Sequence, residues 1–165
     1  MLLTIFLSII VCAAVSIMMI SGVAFIQDMW MFSSAPKEAR DVLISREKEV
    51  FKGAKAFGWV LMIFSVLMIL GAVVIAIWDG FRNDFTFWQF FIRFIVIFTV
   101  YKAYDMIFFD YFLLLKFKFF QHYFPEAENV MEGRKYGFNI KSQLLKLLVI
   151  FPAISALAAW ICGLF

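Results

Sequence analysis

The chain has 165 residues, the length of one domain, yet 65% of it is hydrophobic, 16% is charged and its mean hydropathy is +0.94. Globular domains are nearer one quarter charged, and a small chain cannot hide this much apolar surface inside itself. The composition therefore excludes a water-soluble fold and makes lipid the expected solvent. The net charge of +3, with no basic run set among exposed loops, excludes a nucleic-acid partner.

Four hydrophobic segments follow in chain order. Crossing a bilayer takes about 20 apolar residues in a helix. Leu2 to Ile26 has no charge, and neither has Ala56 to Trp78. The third segment, from about Phe85 to Leu115, carries charges, and the fourth runs from Leu147 to Phe165 with Pro152 near its start. The expected fold is an all-α integral membrane protein forming one transmembrane domain. Its four transmembrane helices are expected at about 2–27, 56–78, 86–106 and 145–165. The first segment has no Lys or Arg before it and is long for a signal peptide, so a retained helix is expected. Cys12 and Cys162 lie in apolar runs at opposite ends, without a CxxC pattern or a His-rich tract. They read as small hydrophobes rather than metal or redox groups; neither a metal nor a cofactor is expected.

Lys and Arg set the direction of crossing. Residues 28–55 carry Lys37, Arg40, Arg46, Lys48, Lys52 and Lys55, and residues 116–146 carry Lys116, Lys118, Arg134, Lys135, Lys141 and Lys146. The connector between them, "DGFRNDFT", has only Arg82. Twelve against one places the first and third connectors in the cytoplasm and both termini outside. The expected location is a cell membrane, bacterial and multi-pass, with both termini extracytoplasmic.

The first connector reads as a cytoplasmic helix over about 35–55. Ser33 or Ser34 is suited to cap it, Pro36 to open it and Glu38 to meet its N-terminal dipole; Glu49 and Lys52 are spaced to pair along it. Its face of Val42, Leu43, Val50 and Phe51 is a candidate docking surface. In "FPEAENVMEGRKYG", Pro125 suits a first helical position. Glu126 and Glu128 then fall in the first turn, Arg134 and Lys135 in the last, and Gly133 or Gly137 ends it.

The third segment contains Arg93, Lys102, Asp105 and Asp110 within "FIRFIVIFTVYKAYDMIFFDYFLLLKFKFF". At 100° per residue, Asp105 lies about 60° to one side of Lys102 and Asp110 about 80° to the other. Arg93 falls on the opposite side, with Asp79 and Asp84 beyond the span as its nearest carboxylates. Starting near Phe87, Arg93 is roughly 9 Å deep and Lys102 roughly 22 Å, in a hydrocarbon layer about 30 Å thick. Both are long enough to snorkel towards opposite surfaces. Beyond Asp110, Lys118, Gln121 and His122 form one polar arc among aromatics, the pattern of a helix lying in the membrane interface. A bend near Asp105 to Asp110 and an interfacial, aromatic-rich helix over about 106–124 are therefore expected.

Intramembrane ionisable residues often mark function, so Lys102, Asp105, Asp110 and His122 are the candidate catalytic residues; whether the chain is an enzyme stays open. No ATP-binding loop, zincin helix, serine elbow or CDP-alcohol phosphotransferase pattern accompanies them. His122 with Glu126, Glu128 and Asp110 is a weak metal pattern. Small residues at Ser8, Cys12 and Ser16, and in "AISALAAW", suit close helix contacts. The leading expectation is a small non-enzymatic accessory or assembly component. Its partners would be membrane lipids, and a protein partner or a homo-oligomer, met at the cytoplasmic face. The alternatives are an enzyme acting on lipid at the inner leaflet, or an oligomeric transporter or channel with Arg93 or Lys102 lining its pore.

Overall fold

The computed structural model describes residues 1–28, 37–44, 49–131 and 140–164, and every regular element among them is helical. Helix α1 covers Leu2–Ile20 and continues as a π-helical turn over Ser21–Ile26. Helix α2 is Lys37–Arg40, α3 is Ala54–Arg82, and α4 is Phe87–Tyr104, prolonged by π-helical winding over Asp105–Lys116. The short α5 (Phe119–Tyr123), a 3-10 turn (Pro125–Ala127) and α6 (Glu128–Met131) follow. Helix α7 (Ile140–Leu145) runs through Lys146–Ile150 into α8 (Phe151–Cys162). Pro152 has no N–H to donate and its ring crowds the preceding turn. The widened π-helical turn just before it gives that room and keeps the helix continuous.

Three helices are long and apolar enough to cross a membrane: Leu2–Ile26, Ala54–Arg82 and Ser142–Cys162. They pack through small residues. Buried positions of α3 are Ala54, Gly58, Ser65, Ala72, Ala76 and Gly80, and those of α8 are Ser155, Ala159 and Cys162. The large side chains of α3, among them Val60, Phe64, Leu67 and Val74, point outward. This is the inverse of a soluble core. Where the surroundings are apolar, close backbone approach rather than apolar burial holds helices together. Ser8 and Cys12 of α1 lie in that seam.

Helix α1 is central. It packs against α3 on one side and α4 on the other, while α8 packs on α4; α3 and α8 make no substantial contact. The core joining them includes Leu7, Val11, Ala76, Phe90, Phe94, Ala159 and Cys162.

The turn between α3 and α4 is closely specified. The Asn83 amide donates to the Asp79 carbonyl at 2.7 Å and to Asp79 Oδ1 at 3.1 Å, ending α3. Asp84 takes the left-handed conformation (φ 49°), and the Phe85 N–H returns to the Gly80 carbonyl. Thr86 and Gln89 then form a capping box, with the Thr86 N–H donating to Gln89 Oε1 at 2.8 Å; both helix ends are thereby satisfied. Gly80 is required here, since a Cβ would stand 2.2 Å from the Phe90 ring.

Two expectations need correction. Residues 35–55 do not form one helix. Of the described residues Lys37–Arg40 are helical, 41–44 and 49–53 are turns, bends or irregular, and Ala54 and Lys55 already belong to α3. Leu43 is drawn into a second small core with Val23, Leu114, Phe120, Phe124 and Ala127, and the Ile44 N–H donates to Glu126. Tertiary burial thus overrides helical propensity. Nor does Glu49 pair with Lys52; its Oε2 accepts the Gly53 N–H at 2.7 Å, and Gly53 at φ 87° starts α3 afresh. Ser33, Ser34, Pro36, Arg46, Lys48, Gly133, Arg134, Lys135 and Gly137 lie outside the described residues.

The second correction concerns the bend. The chain stays helical through Asp105 and Asp110 and breaks only at Phe117 and Lys118, where Lys118 turns left-handed (φ 49°). Phe109 and Leu114 are buried along the prolonged helix. The interfacial helix expected over 106–124 is therefore split: its first part extends α4, and only Phe119–Tyr123 forms a separate helix.

Candidate functional site

The charges of the third segment fall into two separate groups. Near the 83–86 turn, Arg93 is 3% exposed. Its Nη1 donates to the Ala76 carbonyl and its Nη2 to Asp79 Oδ2, both at 2.7 Å. The guanidinium also covers the Phe85 ring at 4.3 Å. A cation here meets the C-terminal end of α3, where the helix dipole is negative. Asp79 is fixed in turn by the Asn83 amide. Helical-wheel geometry for one helix had left Arg93 without a carboxylate inside the span. Its partner comes from the facing helix, across a turn tight enough to bring Asp79 level with Arg93.

The second group lies further along α4. Lys102 is buried and its Nζ is bonded to Asp105 Oδ2, three residues on in the same helix. Burial of Lys102 replaces the snorkelling posture. Asp110 stands half-buried and accepts the Gln143 amide on Oδ2 at 3.2 Å. Gln143 is a group the sequence did not single out, because it precedes the apolar run expected from 145. Between Lys102 and Asp105 in the chain, the Tyr104 hydroxyl bonds Ser16 Oγ at 2.8 Å, and Ser16 donates to the Cys12 carbonyl. That bond ties α4 to α1 at the level of the Lys102–Asp105 pair.

His122 is not part of either group. It is exposed on α5 and meets the Tyr123 ring edge-on. Glu128 pairs with Lys118 at 2.7 Å, and Glu126 accepts the Ile44 N–H. Among the described residues, no three His, Cys, Asp or Glu side chains are placed to hold a metal ion. The structure therefore joins Lys102 to Asp105, gives Asp110 a partner from α7, and leaves His122 apart.

The end of the molecule opposite the 83–86 turn presents a mixed surface. Ile44, Val50, Phe51 and Phe117 are exposed there, beside exposed Lys52, Lys116 and Lys118. Lys116 sits over the Tyr111 ring at 5.8 Å. Cations among exposed aromatic and aliphatic side chains suit a surface between anionic headgroups and hydrocarbon.

No family model, no curated protein and no solved structure matches the chain.

Proposed function

We propose that the chain is a multi-pass protein of a cell membrane that crosses it four times, α4 being the third crossing in chain order. It acts as a non-enzymatic accessory or assembly component, engaging lipid or a protein partner with its cytoplasmic face. The observation that carries this reading is the pairing of the candidate acid–base groups. Lys102 is taken up by Asp105 and Asp110 by Gln143, while His122 stands elsewhere. A catalytic site needs such groups to converge on one reacting atom. Arg93 and Lys102 are likewise enclosed within the single chain, which speaks against their lining a pore between copies.

The direction of crossing rests on the twelve-to-one excess of Lys and Arg in residues 28–55 and 116–146. Packing supports the pairing of ends: Phe81, Asp84 and Phe85 of the turn border the same pocket as Cys162 and Gly163, and Leu3 packs on that core. Both termini and the 83–86 turn then face outward, and the basic connectors face the cytoplasm. The location in a bacterial cell membrane follows from the same reading.

The test is complementation in a host deleted for the chain, with abundance measured alongside. Asp110→Asn and His122→Ala should restore the phenotype fully at normal abundance. Phe51→Asp with Phe117→Asp, which alters the exposed cytoplasmic surface, should not. Loss of complementation by His122→Ala or Asp110→Asn at normal abundance would replace this reading with the lipid enzyme.

A further inference from the structure

Helices α3 and α4 are joined by a short turn yet touch little beyond it. Near the turn, Phe90 lies against Gly80 and Arg93 clamps Ala76 and Asp79. Past the clamp the two helices part and α1 forms a floor between them. The result is a cleft of about 220 Å³ walled by Val15 and Met18 of α1, Ile69 and Val73 of α3, and Phe94 and Phe98 of α4, with almost no polar atom on its surface. It opens sideways: Val73 is 43% exposed, and Ile69 and Phe98 are half-buried.

Size and polarity decide what fits. Enclosed cavities of about 150 Å³ lined by Leu, Ile and Phe take apolar ligands, and the lining of this cleft is of the same apolar kind. Ile69 to Ala76 spans roughly 10 Å at 1.5 Å per residue. A space of this size and length suits one stretch of methylene chain, whose carbons touch their neighbours at about 4 Å. A whole helix, about 10 Å across, is too bulky for a cleft of this volume. The mouth opens along α3 within the segment long and apolar enough to cross a membrane, where acyl chains are the surrounding medium.

We infer that this cleft is a binding site for one acyl chain of a membrane phospholipid, held between α3 and α4 as a structural ligand of the chain. The Arg93 clamp closes the slot at the turn end, so the acyl chain lies along α4 towards Tyr101. This inference rests on the membrane reading above, but not on the absence of catalysis.

The experiment uses the full chain in nanodiscs of dioleoylphosphatidylcholine, released into mild detergent for native mass spectrometry. One phospholipid should remain bound per chain. Val73→Trp, which fills the slot from a partly exposed position, should lower the lipid-bearing fraction about tenfold, equivalent to 1.4 kcal/mol. Val74→Trp, one residue on and pointing away, should leave it unchanged. Circular dichroism establishes that both variants keep wild-type helicity. If Val73→Trp does not, a phosphatidylcholine with a photoreactive tail decides the matter on the wild type. Cross-links concentrated on Ile69, Val73 and Phe98 support the site, and labelling spread evenly round α3 overturns it. Lipid-free chain, or equal retention in both variants, also overturns it. Failure to enter nanodiscs at all would instead overturn the membrane reading.

Discussion

Arg93 of α4 is bonded to Asp79 of α3 at 2.7 Å, with the guanidinium 3% exposed and the carboxylate 25% exposed. The pair fastens the two helices just below the turn that joins them.

Removing one partner of such a pair strands the other charge in an apolar place, at a cost of about 3–5 kcal/mol. Arg93→Ala should lose stability of that order in detergent, measured by chemical or thermal unfolding. Asp79→Ala should lose at least as much, because it strands Arg93, the more deeply buried partner. The double variant should lose clearly less than the sum; strictly additive losses would show that the two do not act as a unit.

The Lys102–Asp105 pair predicts a second, independent cycle. Lys102→Ala and Asp105→Ala should each destabilise strongly and non-additively, since a buried pair is worth far more than the about 0–1 kcal/mol of an exposed one. Combining Lys102→Ala with Arg93→Ala should be additive, because the two pairs share no partner. Asp110→Asn should be mild, since an amide at that position still offers Gln143 an acceptor.

Gly80→Ala places a methyl where the Phe90 ring already stands. Overpacking of this kind costs about 1–3 kcal/mol. Phe90→Leu in the same chain should recover part of the loss, as read from the unfolding midpoint. An unchanged midpoint for Gly80→Ala alone would mean that the helices do not approach so closely.

Cysteines placed at Asp84 and Leu164, with Cys12 and Cys162 replaced by Ala, should react with an impermeant maleimide on intact cells. Cysteines at Lys52 and Lys116 should react only after the membrane is opened. The reverse pattern would invert the topology.

Much of this was legible because long apolar runs leave few alternatives to helices. The small residues Ser8 and Cys12 were visible as a seam, and Lys102 with Asp105 as neighbours three apart, since both are relations within one helix. Arg93 and Asp79 were not matched, because their meeting depends on how tightly residues 83–86 turn, which a helical wheel does not contain. Lys118 gave no warning of a left-handed break, which usually falls on glycine. Residues 41–44 carried a helical pattern, and the burial of Leu43 in the small second core with Phe120 and Phe124, together with the Ile44–Glu126 bond, explains why it is not used.

The central place of α1 bears on how the molecule is put together during synthesis. Helix α1 precedes in the chain both of the helices that pack on it, so it must wait while they emerge. Helix α3 can dock as soon as it appears, α4 then closes on the other flank, and α8 follows, packing mainly on α4. A chain cut short before α8 would keep a three-helix unit. A chain deprived of α1 would leave α3 and α4 tied at one end, by their turn, the Phe90–Gly80 contact and the Arg93 clamp, with the rest of their length unsupported.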